Sequence, residues 1–304
     1  MVYCGLRELA HEGRSRVVYR ETCEITLPVR AIVEGDCLDV MRQWPDDCID
    51  HCITDPPFNM SKKKGLGWAF SSHVTMQETW DMFSDDEYLR FTGDWISEVS
   101  RVVKPNGNIF IFGSYHNIYK VGFIVQQMNL RIVNSIVWFK PNAQPNITGR
   151  MLTESTEQII WVCNNTTDKA KNWVFNYAEA KLIGNGRQLR NMWEVPYAPA
   201  REKRFGKSPA QKPESVIERL IRIGTRENEV ILDCFAGSGT TGVVAERLKR
   251  SWIMVEKDPT SVGIAERRLH AERTSHSECE VPGVPAVRLQ PRLMERKGIE
   301  YHPR

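Results

Sequence analysis

The stretch Val230-Ile231-Leu232-Asp233-Cys234-Phe235-Ala236-Gly237-Ser238-Gly239-Thr240 decides the architecture. Its first half is an apolar run of strand length, its second half is a glycine turn, and a helical period from Thr240 to Leu248 follows directly. Strand, glycine-rich turn and helix in that order predict a parallel α/β unit whose turn lies at the carboxyl end of the strand, where open sheets bind ligands. Glycines let backbone amides approach a ligand and a helix start favours electronegative groups, so the turn suits a nucleotide-type molecule. It departs from G-x-G-x-x-G, and no phosphate-binding Lys follows as in a P-loop, which weakens dinucleotide and nucleoside triphosphate readings. Glu256 ends the next strand, Trp252 to Glu256, where an acid would grip ribose hydroxyls or simply sit on the surface.

The same rhythm extends upstream. Short apolar runs at Arg30 to Val33, Cys48 to Thr54, Asn108 to Phe112, Ile132 to Trp138 and Gln158 to Val162 alternate with helical periods at Asp85 to Val102 and Pro213 to Ile223. With Pro259 to His270 as a last helix, this predicts a doubly wound, mostly parallel sheet covered by helices on both faces. Three regions break the rhythm: Ser61 to Trp80, Asn164 to Lys207 and the tail from Thr274. Loops of that length in a compact domain are functional or disordered.

Composition narrows the class. Hydrophobic residues at 41% and charged residues at 26% of 304 are those of a globular protein with an ample core. No stretch approaches the ~18 uninterrupted apolar residues of a membrane span, and Met1 to Arg20 mixes Arg and Glu, so a cytoplasmic protein is expected. Of the eight cysteines, Cys37, Cys48, Cys52, Cys163 and Cys234 lie in apolar runs and read as buried free thiols. Cys48 and Cys52 have no second pair at metal-ligand spacing, so no metal site is expected. The net charge of +3 names no partner, but eight Lys or Arg against two Glu between Lys181 and Lys212 form either an electrostatic footprint for a polyanion or a solvated basic loop.

The second chemical motif is Asp55-Pro56-Pro57-Phe58-Asn59, at the end of the Cys48 to Thr54 run. Two prolines cannot continue a ladder and lock φ, so the motif is a rigid turn with an acid in front and an aromatic behind, or a strand-ending turn with a buried Phe. An exocyclic amine on a nucleobase is a poor nucleophile because its lone pair is delocalised into the ring. A carboxylate and a backbone carbonyl that each accept one amine hydrogen favour a more tetrahedral nitrogen, and Asp55 and the Pro56 carbonyl suit those parts. Phe58 would stack on a base that has left the duplex. Upstream, in Gly35-Asp36-Cys37-Leu38-Asp39, Asp36 either accepts from an adenine amine while the Cys37 amide donates to the ring, or caps the following helix.

These motifs together resemble the β group of DNA amino-methyltransferases, in which a D-P-P-Y type catalytic motif precedes an F-x-G-x-G cofactor motif in a circularly permuted order. Arg101-Val102-Val103-Lys104-Pro105-Asn106-Gly107 is similar to that family's R-V-L-K-P-G-G turn, Trp138-Phe139-Lys140-Pro141-Asn142 to its W-x-K-x-N segment, and Ser208-Pro209-Ala210-Gln211-Lys212-Pro213 to its H-P-T-Q-K-P motif, over about Arg30 to His270. Phe58 replaces the more usual Tyr, and Ser208 stands where the family often has His.

The resemblance implies a Rossmann-like methyltransferase sheet with an inserted target-recognition region, and S-adenosyl-L-methionine as cofactor. Its catalytic residues would be Asp55, Pro56, Pro57 and Phe58; its cofactor site would comprise Asp36, Cys37, Asp55, Lys212, Phe235, Gly237, Ser238, Gly239, Thr240 and Glu256. The chain would divide into an N-terminal appendage (1–28), a catalytic half (29–163), a target-recognition region (164–207), a cofactor half (208–273) and a C-terminal tail (274–304). Double-stranded DNA is the implied partner, with Lys62, Lys63, Lys64, Arg187, Arg190, Arg201, Lys203 and Arg204 as candidate contacts. A homodimer and a cognate restriction endonuclease are left open.

Asp at position 55 leans toward adenine N6, because cytosine-N4 enzymes of the group more often carry Ser there. Cytosine C5 chemistry needs a cysteine nucleophile, commonly after Pro, and no Pro-Cys occurs. RNA and protein-glutamine methyltransferases usually place the cofactor motif first, the reverse of the order here. A catalytically inactive DNA-binding subunit is the remaining alternative, and retention of Asp55, both prolines and both glycines speaks against it.

Overall fold

The computed structural model describes residues 27–59, 83–146, 149–165, 172–206, 208 and 210–276. The chain order is β1 (Ala31–Glu34), α1 (Cys37–Met41), β2 (His51–Thr54), α2 (Asp85–Val102), β3 (Asn108–Gly113), α3 (Ile118–Gln127), β4 (Arg131–Phe139), β5 (Thr156–Cys163), α4 (Tyr177–Ile183), β6 (Met192–Glu194), α5 (Glu214–Gly224), β7 (Val230–Asp233), α6 (Thr240–Arg247), β8 (Ser251–Glu256) and α7 (Pro259–His276). The strands form one sheet in the order β1-β8-β7-β2-β3-β5-β4-β6, and β5 runs against the other seven.

Strand periodicity sends alternate side chains to opposite faces, and each face has its own core. Phe110, Phe112, Trp138, Trp252 and Met254 pack with α5, α6 and α7 on one side. Cys52, Ile109, Ile111, Ile253 and Val255 pack with α1, α2 and α3 on the other. Every residue of β3 is buried, as expected of a central strand covered on both faces. Helix α2 follows its sequence closely: Ser84 and Glu87 form a capping box, acids fill the first turn, and Tyr88, Trp95, Ile96, Val99 and Val102 form the buried stripe.

The sheet carries the site through its topology. From β7 the chain leaves through α6 to β8, whereas from the adjacent β2 it leaves through α2 to β3 in the other direction. The connections therefore diverge between β2 and β7, which opens a crevice at their carboxyl ends.

Three expectations are corrected. The strand expected from Cys48 begins at His51, because Asp47 takes a positive φ of 53° and only Ile49 bridges to Val103 before the ladder starts. Helix α3 was not anticipated. The region 164–207, read as irregular, contains α4, β6 and a 3-10 turn at Ala200–Lys203. Seven helical residues and three strand residues are too short for a period to stand out. Of the five cysteines named above, all are buried and unbridged.

Candidate active site

Two turns face each other across the crevice. Asp55 follows β2 and Phe235 to Gly239 follow β7. Asp233 ties the two strand ends together: its carboxylate accepts from Thr54 Oγ1 at 2.9 Å, Thr241 Oγ1 at 2.6 Å and the Phe235 amide at 3.2 Å. Burial, with Glu256 nearby, pushes this carboxyl up to about 6 despite those donors. Asp233 is thus a brace, which sequence reading did not single out.

The acid turn is held from behind. Tyr88, fully buried on α2, donates its hydroxyl to the Pro57 carbonyl at 2.8 Å. Asn59, in the left-handed region at φ 57°, accepts from the Phe83 amide at 3.0 Å, which ties the turn to the start of α2. Asp55 directs Oδ2 to the Lys212 ammonium at 2.5 Å, while its Oδ1 is shut off from water with no hydrogen-bond partner. Burial, with Glu157 and Asp233 adding to it against the pull of Lys212, pushes the Asp55 carboxyl up to about 7. Lys212 is itself buried; burial opposes its charge, yet Asp55 and Glu157 hold its pKa above the ordinary value. Its ammonium also lies 5.1 Å from the centroid of the half-buried Phe58 ring and 5.6 Å from that of Phe112.

The glycines of the second turn do different work. Gly237 has φ 51° and open space where a Cβ would stand, so its backbone faces the crevice bare. Its amide donates to Glu256 Oε2 at 2.7 Å. Gly239 has φ 76°, and a Cβ there would come within 2.6 Å of the Ala265 side chain, so it lets α6 pack closely on α7. Ser238 and Thr240 are buried, and both hydroxyls are engaged by the buried Arg268, which also pairs with Glu214. Phe235 packs edge-on against Phe91 and Trp95.

Glu256 and Asp36 end neighbouring parallel strands, with the Gly35 amide bonded to the Glu256 carbonyl at 2.9 Å. Burial raises the Glu256 carboxyl, opposed by the Asp258 and Gly237 amides it accepts from. Asp36 Oδ1 caps α1 through the Leu38 amide at 3.0 Å, and its other oxygen lies 3.3 Å from Lys257. The Cys37 thiol is buried in the core, which leaves only the backbone of that residue for a ligand. The Gly237 backbone after β7, with the Glu256 and Asp36 carboxylates next in line at the ends of β8 and β1, fits a cofactor with a ribose and an adenine amine to donate.

Not all sequence candidates converge. Because β6 runs parallel to β4, Arg187 and Arg190, which precede it, lie toward the opposite end from Arg201, Lys203 and Arg204, which follow it. The second group is tied to the Lys212 loop through Gln211 Nε2 on the Glu202 carbonyl at 2.9 Å. Lys62, Lys63 and Lys64 lie outside the described residues. The chief omission of sequence reading is Glu157, which lies 3.4 Å from Lys212 and 3.2 Å from Lys140. It precedes an apolar run, and in a parallel strand that end would point away from the site. No local signal marks β5 as the antiparallel strand.

Fold and site define the class: an α/β protein with a glycine turn suited to a nucleotide-type cofactor beside a buried acid at a topological switch point. Residues 49–267 match the family model described as DNA methylase, of the N6/N4 methyltransferase type, and the chain belongs to that family. It is an S-adenosylmethionine-dependent DNA methyltransferase. It is similar to Type II methyltransferase M2.DpnII of Streptococcus pneumoniae, 37% identical over 247 residues that span 81% of this chain and 91% of the relative. Type II methyltransferase M2.LlaDCHI of Lactococcus lactis subsp. cremoris is 38% identical over 245 residues, 80% of this chain and 90% of the relative. Among solved structures, the M1.HpyAVI–SAM complex superposes with a TM-score of 0.59 at 26% identity, covering 79% of this chain and 98% of that one. The cytosine-N4-specific PvuII DNA methyltransferase gives 0.60 at 19% identity over 80% of this chain and 90% of that one, a likeness of fold alone. Among the described residues, no helix is long and apolar enough to cross a membrane.

Proposed function

We propose that the chain methylates adenine N6 in a base flipped out of double-stranded DNA. The observation that carries this reading is Asp55: one carboxylate oxygen is anchored on Lys212 and the other is buried without a partner. An amine hydrogen donated to Oδ1, and a second to the Pro56 carbonyl, would draw the nitrogen lone pair toward a methyl sulfonium. Phe58 offers the base a stacking face. The cofactor lies along Asp36, the Cys37 backbone, Phe235, Gly237, Ser238, Gly239, Thr240 and Glu256. The bare backbone at Gly237 supports that course. Lys212 joins the two halves, since its ammonium reaches Asp55 and its carbonyl accepts from Thr240 Oγ1 at 3.3 Å.

The division into catalytic half (29–163), target-recognition region (164–207) and cofactor half (208–273), flanked by segments 1–28 and 274–304, belongs to the same reading. Arg201, Lys203 and Arg204 are the stronger candidates for phosphate contacts, being on the side of Lys212; Arg187 and Arg190 would contact the duplex further along, and Lys62 to Lys64, close in sequence to the Asp55 turn, would hold the flipped strand. The Type II names of both curated relatives support a place in a restriction–modification pair, with a cognate endonuclease and a cytoplasmic address. The exposed Tyr119 and Phe123 on α3 supply apolar area for a homodimer, checked by light scattering on the purified chain.

The test is to incubate the protein with unmethylated duplex DNA and labelled S-adenosylmethionine, digest to nucleosides and identify the product by mass spectrometry. N6-methyladenine supports the reading. N4-methylcytosine would overturn the choice of base while leaving the amine chemistry, and an unmodified digest despite cofactor binding would overturn the activity on DNA.

A further inference from the structure

Four charged side chains from four separate elements run in alternating sign into the crevice. Lys140 follows β4, Glu157 is on β5, Lys212 precedes α5 and Asp55 follows β2. The links are Lys140 Nζ to Glu157 Oε1 at 3.2 Å, Lys212 Nζ to Glu157 Oε2 at 3.4 Å and Lys212 Nζ to Asp55 Oδ2 at 2.5 Å. Lys140 and Lys212 are both buried, and the Glu157 side chain is 13% exposed. Charges so far from water persist only when paired, so Glu157 is the counter-ion that lets two buried ammonium groups coexist.

We propose that Glu157 is a positioning residue for methyl transfer: by holding Lys212 between itself and Asp55, it fixes which carboxylate oxygen of Asp55 is presented to the target amine. The assignment rests on the reading of Asp55 given above. Without Glu157, the Lys212 ammonium is free to centre on the Asp55 carboxylate and take both oxygens, leaving no acceptor for the amine. Lys140 is held in turn, its ammonium 5.4 Å from the Trp138 ring centroid and 5.1 Å from that of Tyr197, so the Glu157 end of the relay is anchored.

The relay also sets the charge around Asp55. The groups that face it are Lys212 from the loop before α5, Glu157 from β5 with Lys140 and Glu154 behind it, and Asp233 from β7. Since Asp55 must be ionised to accept from the amine and its carboxyl lies near 7, kcat/KM falls on the acid side of about pH 7. Removing the negative charge of Glu157 favours the ionised form of Asp55 and moves that limb to lower pH.

The experiment compares Glu157→Gln, Glu157→Asp and Asp55→Asn with the parent chain, measuring single-turnover methyl transfer on duplex DNA across pH and cofactor affinity by calorimetry. The expected result for Glu157→Gln is a turnover loss of about tenfold to a hundredfold, the scale of a misplaced reacting group. Its cofactor affinity should stay within about twofold and its acid limb should shift to lower pH, with Glu157→Asp restoring the limb because the charge remains. Parental turnover in Glu157→Gln, or a loss with the acid limb unmoved, would overturn the assignment and leave Glu157 a merely structural partner. Near-parental turnover in Asp55→Asn would instead remove the underlying reading of the acid.

Discussion

The two ends of the sheet handle buried polar groups in opposite ways. At the amino end of the parallel strands, several buried networks match donor to acceptor. His51 pairs with Glu229 at 2.8 Å and accepts from the Asn108 amide through Nδ1, Asp50 takes the Val230 amide and Lys104, and Asn164 donates to the Ser100 and Val103 carbonyls. Asn108 alone donates to the Val174 and Gly224 carbonyls and accepts from Trp161. At the carboxyl end, Asp55 keeps a buried oxygen without a hydrogen-bond partner, and Asp55, Asp233 and Glu256 are all pushed upward by burial. At the other end Glu229 goes the other way: burial opposes its charge, but His51 and Arg226 hold its carboxyl down at about 2. The networks at the amino end stabilise the fold, whereas the carboxyl end keeps an under-satisfied acid where, on the proposed reading, a substrate would supply the missing donor.

The contrast makes separable predictions. Asp55→Ala should lower methyl transfer on the order of 10³-fold, while the fold and most of the DNA affinity are kept because Lys212 keeps Glu157 as partner. Rapid turnover in that variant would place the chemistry elsewhere. Asn108→Ala should do the reverse, costing about 2–4 kcal/mol of stability through three orphaned buried groups. Its turnover at a temperature where it stays folded should be unchanged; thermal unfolding paired with that rate checks both halves, and a lost rate would mean the two ends are coupled.

Gly237→Asp adds a charged side chain to open space at a left-handed φ that Asp tolerates, so the fold should survive. Cofactor affinity by calorimetry should fall at least about tenfold, or about 1.4 kcal/mol, and an unchanged affinity would move the cofactor away from this turn. The smallest effect concerns acid stability. Glu229 titrates lower folded than unfolded, so its contribution is fully present above pH 4.5 and is lost as pH falls toward about 2. Glu229→Gln should cost on the order of 1 kcal/mol at pH 7 by denaturant unfolding, with the gap to the parent narrowing below pH 4.5 and closing at about pH 2. A gap independent of pH would assign the cost to packing.

Much of the site was legible because its motifs are local. The proline pair after β2 and the glycines after β7 declare sharp turns through φ alone, and a parallel sheet puts both at one end. Helix α2 was readable to the residue, since first-turn acids and a long apolar stripe agree. Helix α4 and strand β6 were not, because seven and three residues carry too little period.

By itself, then, the sequence determined the α/β class, the two turns and the methyltransferase class. Only the tertiary structure decided that β5 runs backward and brings Glu157 to the site, that the Lys212 ammonium belongs to Asp55, that Asp233 bridges the strand ends, and that β6 parts Arg187 and Arg190 from Arg201, Lys203 and Arg204. The physical reason is range. Turns and caps follow from backbone sterics within a few residues, whereas strand direction and charge pairing depend on contacts between residues far apart in the chain, 221 positions for Asp36 and Lys257.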